Sequence, residues 1–256
     1  MKILDPSIRL PEKIKECALG VMAKAPQPGR VKTRLAPPLT LEESAALNIC
    51  FLRDTLMNIS EVSGAAGVVV YTPEGEESAF DGIVPADFGM LLQRGDGFGE
   101  RLLAAAEDML ACGFGSCCLI DSDSPTVPHV AFQQAVNVLS QPGDRVVLGP
   151  ADDGGYYLIG MKRAHAGIFE NVSWSTGSVF EQTMERAADL ALDVTLLPRW
   201  YDVDDAATLE RLCDEMFGEV SVADAYAAPH TREFVAKLLG MERKPILWTA
   251  SARSST

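Results

Sequence analysis

Along this chain, apolar residues gather in short unbroken runs, separated by longer stretches in which they recur every three or four positions. The runs CALGVMAK (17–24), GVVVYT (67–72), MLLQ (90–93), CCLID (117–121), RVVLGPA (145–151) and YYLIGM (156–161) predict strands. DVTLLPRWYDVDD (193–205) is strand-like at its start. The periodic stretches predict helices over 40–59, 98–112, 130–140, about 177–191 and 207–217. Thr40 with Glu43 three residues on has the form of a capping box, and Asp205 stands where an N-cap for ATLERL belongs.

Strand and helix take turns, and the strands are continuously rather than alternately apolar. That pattern predicts an α/β fold with a mostly parallel sheet covered by helices on both faces. One domain is expected over 17–217, with an N-terminal extension at 1–16 and a C-terminal helical appendage and tail at 218–256. The appendage carries a helix at HTREFVAKLLGMER (230–243) and a frayed last ten residues. In such a sheet ligands bind outside the carboxyl ends of the strands. The unusual polar loops all fall there: APQPGRVKTRLAPP (25–38), DSDSP (121–125), GPADDGGYY (149–157) and YDVDD (201–205).

Charge narrows the possible partners. The chain holds 36 acids against 22 bases, a formal net charge of −14, which argues against nucleic acid and anionic membrane surfaces. No apolar run approaches the roughly 20 residues a bilayer needs. The first sixteen residues lack an apolar signal core, so a soluble, cytoplasmic protein is expected. Six cysteines without a CxxC pair and three scattered histidines argue against zinc and for reduced, buried thiols.

Against that acidic background, Lys24, Arg30, Lys32 and Arg34 stand in a segment with no carboxylate from Lys24 to Thr40, turned by Pro28 and Gly29. Such a cluster suits a phosphate, Arg by bidentate geometry and Lys by compact charge, although a solvated basic turn has the same composition. It is not a P-loop, because Val31 stands where glycine must precede the lysine. Asp121 and Asp123, like Asp202 and Asp204, are two apart in extended segments, so each pair can face one cation. Carboxylate oxygens suit Mg²⁺ or Mn²⁺; an Asx turn is the plainer reading of DSDSP. Gly154 and Gly155 allow a close backbone approach to a ligand beside Asp153 and Tyr156. GDGFGER (95–101), with Gly99 and Arg101, offers a turn for an anion or a base. In WST (174–176), Trp174 has a substrate role or Ser175 and Thr176 merely cap a helix.

Taken in order, AKAPQPGRVKTRLAP, GFGERL, DSDSP, GPADDGGYYLIG, WST and DVDD resemble a bacterial glycosyltransferase-like family of unknown function, grouped with nucleotide-diphospho-sugar transferases. The resemblance spans roughly residues 17–217. It implies a three-layer, Rossmann-like GT-A sandwich, similar to molybdenum-cofactor and phospholactate guanylyltransferases. It also implies that Lys24, Arg30, Lys32 and Arg34 hold nucleotide phosphates, that Asp123 is a metal aspartate, and that Asp202 and Asp204 complete the cation site. The family commonly has glycine where Asp121 stands here, which ranks Asp121 below Asp123. The expected activity is a Mg²⁺- or Mn²⁺-dependent transferase acting on a nucleotide or nucleotide sugar and a small-molecule acceptor. In the glycosyltransferase version Asp153 lies near the sugar. In the nucleotidyltransferase version Lys24, Arg30 and Lys32 steady the pyrophosphate as a phosphorylated acceptor attacks. A nucleotide-binding module without turnover is the rival from another class.

Overall fold

A computed structural model describes residues 2–218 and 223–240. Eight strands, β1 (Lys2–Ile3), β2 (Cys17–Lys24), β3 (Ala65–Thr72), β4 (Gly89–Leu92), β5 (Ser116–Ile120), β6 (Arg145–Pro150), β7 (Tyr156–Met161) and β8 (Asp193–Leu196), form one sheet in the order 1-4-3-2-5-7-6-8. Every pairing is parallel except the two made by β7. The turn from β6 into β7 is only five residues long, too short for the crossover that a parallel neighbour needs.

Among the described residues six α-helices connect and cover the strands: α1 (Leu41–Ser60), α2 (Phe98–Ala111), α3 (His129–Ser140), α4 (Val179–Asp189), α5 (Ala206–Phe217) and α6 (Pro229–Leu238). One buried cluster packs α1 and α3 on the sheet through Leu52, Leu56, Phe132 and Leu139. A second packs α2 and α4 on the opposite face through Leu102, Met109 and Ala187. The expected α/β sandwich with helices on both faces is what the chain forms. Thr40 and Glu43 complete the expected capping box at α1, and the Asp205 carboxylate accepts from the Thr208 N–H at 2.9 Å to open α5.

A third cluster, off the sheet, bears most on the site. Leu35, Leu47, Phe51, Tyr201, Val203 and Leu212 bury the underside of the basic loop between α1 and α5. The buried Asp54 carboxylate of α1 accepts the N–H groups of His230 and Thr231 at 3.0 and 2.7 Å, which fastens the start of α6. At the other end of the chain, β1 adds an edge strand beside β4, inside the stretch read as an extension. The residues past 240 of the helix expected at 230–243, and the tail expected to fray, lie outside the described residues. Among the described residues no helix is long and apolar enough to cross a membrane.

Candidate active site

The strand order reverses between β2 and β5, so their carboxyl ends open a crevice at the middle of the sheet. The basic loop leaves β2 there, and DSDSP leaves β5. YDVDD reaches the same place because the Val203 N–H donates to the Asp123 carbonyl at 2.9 Å. Two adjoining clefts result. One, of about 450 Å³, is lined by Lys24, Arg30, Arg34, Arg101, Asn48 and Gln93. The other, of about 520 Å³, is lined by Asp121, Asp153, Asp202, Tyr156, Trp174 and Gly155. Asp123, Asp204, Arg34, Ser122 and Phe98 border both. Residues far apart in sequence thus meet at one seam.

Lys32 is the pin of that seam. Its side chain is only 4% exposed, and its ammonium reaches Asp123 Oδ1 at 2.8 Å, Asp204 Oδ1 at 2.7 Å and the Val203 carbonyl at 2.8 Å. Burial disfavours the charge, but the two carboxylates outweigh it and raise the ammonium pKa above its ordinary value. The Phe51 ring lies 5.6 Å beneath. The backbone of Lys32 is left-handed, with φ 48°, an uncommon state for a side-chain-bearing residue. All three ammonium donors are taken by the protein, which leaves none free for the phosphate expected beside Lys32 and ties the two acidic loops to the basic one. Arg34 also bonds Asp204, through its Oδ2.

The basic cleft keeps its other cations unspent. Among the described residues Lys24, Arg30 and Arg101 have no carboxylate partner, and the buried Nε of Arg101 has no hydrogen-bond acceptor. Arg101 lies 5.9 Å from the Phe98 ring, which is 43% exposed. Gly29 makes the loop's turn with φ 75° and does not line the cleft. The anion expected in the GDGFGER turn is supplied internally: Glu100 accepts from the Asp96 and Gly97 N–H groups at 2.9 and 3.2 Å. Those bonds, Gly97's first, hold the Glu100 carboxyl below its usual range. The bareness of Gly99 makes room for Trp174, since a Cβ there would stand 2.7 Å from the indole nitrogen.

In the acidic cleft the carboxylates crowd one another. Burial first, then Asp153 and Asp204, push the Asp202 pKa up to about 6. Burial and the neighbouring Asp123 raise Asp121 well above the carboxylate range. Asp121 is occupied by its own turn, accepting the Asp123 N–H at 3.2 Å and the Ser124 hydroxyl at 2.8 Å. Asp153 Oδ1 accepts the Gly155 N–H at 2.8 Å while the residue faces the cleft. Gly154 is the exception to the close-approach reading. It has φ 88°, and a Cβ there would meet the Gly177 carbonyl at 2.1 Å, so the loop from WST fills the space. Gly155 lines the cleft.

Among the described residues no three His, Cys, Asp or Glu side chains form a ready cage for a metal ion. Magnesium does not need one, because it keeps waters and takes one or two carboxylates together with phosphate oxygens. Both oxygens of Asp204 serve Lys32 and Arg34, and both of Asp121 serve the turn. Asp204 and Asp121 are therefore the more engaged of the four expected ligands. Among the described residues none gives a hydrogen bond or ion pair to Asp123 Oδ2 or the Asp202 carboxylate, and these two fit a hard divalent cation. Sequence reasoning missed Phe98, which both clefts share, and Asn48, hidden in the helical run of α1.

The motif-based resemblance is borne out. Residues 55–176 match the family described as "Uncharacterized protein conserved in bacteria (DUF2064)", a span holding GDGFGER, DSDSP, GPADDGGYY and WST. A crystal structure from Desulfovibrio desulfuricans G20, provisionally described as a nucleotide-diphospho-sugar transferase, is 28% identical and superposes with a TM-score of 0.76. The match covers 89% of this chain and 98% of that one. A Bacillus anthracis protein, provisionally described as a glucose-1-phosphate thymidylyltransferase, is 11% identical with a TM-score of 0.50. It covers 81% of this chain and 97% of that one, a likeness of fold. No curated protein sequence matches.

Proposed function

We propose that this chain is a divalent-metal-dependent transferase that takes a nucleotide-diphospho-sugar and passes its sugar to a small-molecule acceptor. The observation that carries this reading is the seam, where a cleft with three unpaired cations opens directly onto a cleft of carboxylates. The Desulfovibrio likeness supports the donor class.

On this reading Lys24, Arg30 and Arg101 bind the donor's phosphates in the basic cleft. Asp123 and Asp202 would hold Mg²⁺ or Mn²⁺, which when bound neutralises charge on the leaving diphosphate. Lys32 keeps Asp123 and Asp204 at fixed distances, so the site needs no rearrangement as that charge develops. Asp153 faces the transferred sugar and can accept from a hydroxyl, with Trp174 walling the same cleft.

A second reading, nucleotidyl transfer from a triphosphate, draws on the three unpaired cations, which exceed what a metal-bound diphosphate requires. Product analysis separates the two. A nucleoside diphosphate released from a sugar donor supports glycosyl transfer, and pyrophosphate released from a triphosphate supports nucleotidyl transfer. Metal-dependent binding without either product would leave a binding module. Asp123→Ala is expected to abolish metal-dependent nucleotide binding; unaltered affinity that still responds to magnesium would refute the metal assignment.

A further inference from the structure

One polar side chain at the basic cleft is used by none of these roles. Asn48 is 6% exposed, on α1 three residues before the Phe51 ring that underlies Lys32, and so on the same helix face. It lines the basic cleft, and its carboxamide makes no hydrogen bond among the described residues. The little of Asn48 that is exposed includes its carboxamide, so whatever fills the cleft comes within reach of an amide that no described residue holds.

The best match for such an amide both accepts from it and donates to it. A phosphate oxygen only accepts, and would satisfy the Asn48 NH₂ while leaving Oδ1 unpaired. A group that also donates, such as a sugar hydroxyl or a base N–H, satisfies both. Naked polyphosphate lacks such a donor, whereas a nucleoside carries one beside its phosphates.

We propose that Asn48 is a specificity-determining residue that reads the hydrogen-bonding edge of the nucleoside, placing the nucleoside end of the substrate against α1 in the basic cleft. The transferred group then extends across the seam into the acidic cleft. This inference rests on the reading of the clefts as a nucleotide site and adds the direction in which the nucleotide lies.

Calorimetric titration tests it with UDP, CDP, ADP, GDP and dTDP, and separately with pyrophosphate, all in magnesium. Asn48→Leu keeps the branched shape and removes both hydrogen-bonding functions; Asn48→Ser is the smaller backup should the bulkier leucine variant misfold by circular dichroism. The expected result is a loss of about tenfold or more in affinity for the preferred diphosphate, with pyrophosphate changed less than about twofold. Equal losses for both probes would make Asn48 a phosphate ligand and overturn the proposal, as would no loss for either. If the unmodified protein binds none of the five diphosphates, the nucleotide reading itself fails, an outcome distinct from an inert Asn48.

Discussion

The two clefts meet along Asp123 and Asp204 yet are unbalanced in opposite senses. On one side cations lack partners: among the described residues Lys24, Arg30 and Arg101 have no carboxylate against them. On the other, carboxylates lack cations, and their crowding lifts Asp202 to about 6. Lys32 is the buried cation at their junction, and it is saturated. Away from the clefts some arginines are paired, Arg94 with Asp108 and Arg211 with Asp152. Two adjacent imbalances of opposite sign are most simply relieved by one ligand that is anionic at one end and brings a cation to the seam.

Removing the balance point has the largest expected effect. Lys32→Met would leave Asp123 and Asp204 facing each other across a buried gap. Breaking such a pair from one side costs about 3 kcal/mol, the lower end of the usual range because both acids are partly solvated. In a chain of this size that is a fall of roughly 6–12 °C in Tm. Adding Asp204→Asn should recover part of it. A Tm equal to that of the unmodified protein would mean that Lys32 is not the pin.

Next come substitutions that act on only one cleft. Arg30→Ala should weaken nucleotide binding by about 1.5–3 kcal/mol, the range for a hydrogen bond to a charged group. Stability should barely move, since Arg30 is exposed and unpaired. Asp202→Asn should do the reverse. A carboxyl whose folded pKa is raised contributes its stabilisation below the unfolded value near 3.8 and loses it as pH rises through about 6. At pH 8 the ionised Asp202 is therefore a liability. Replacing it should stabilise the metal-free protein by about 1–2 kcal/mol after allowance for solvent screening. That gain should vanish by pH 4 while metal-dependent binding is lost. Melting curves at both pH values decide it; a gain that persists at pH 4 would mean that repulsion is not the cause.

These contrasts also mark what the sequence could reveal. The sheet was legible because its strands are unbroken apolar runs, and Thr40 with Glu43 announces α1 by spacing alone. The convergence of basic and acidic loops followed from where parallel strands end. The fate of individual side chains did not. Whether Lys32 meets a phosphate or two aspartates depends on Asp123, Val203 and Asp204, which approach it only after three loops and the Leu35–Phe51–Val203 cluster have packed. Glu100 filling its own turn, and the Gly177 carbonyl occupying the space at Gly154, are likewise contacts no spacing encodes. Asn48 left a trace, a polar residue on an apolar helix face, but its open amide appears only when the cleft is built.

The smallest effect concerns Arg34, the cation that borders both clefts. It bonds Asp204, but its side chain is 73% exposed. Water and salt screen such a pair, which is worth about 0–1 kcal/mol. Arg34→Ala should shift the urea midpoint barely, and the shift should disappear in high salt, where surface attractions fade. Asp204 would still be held by Lys32, so the seam should survive. A large, salt-insensitive loss would instead make Arg34 part of the buried lock. The two clefts would then be joined by two cations, and the contrast with Lys32 would have to be withdrawn.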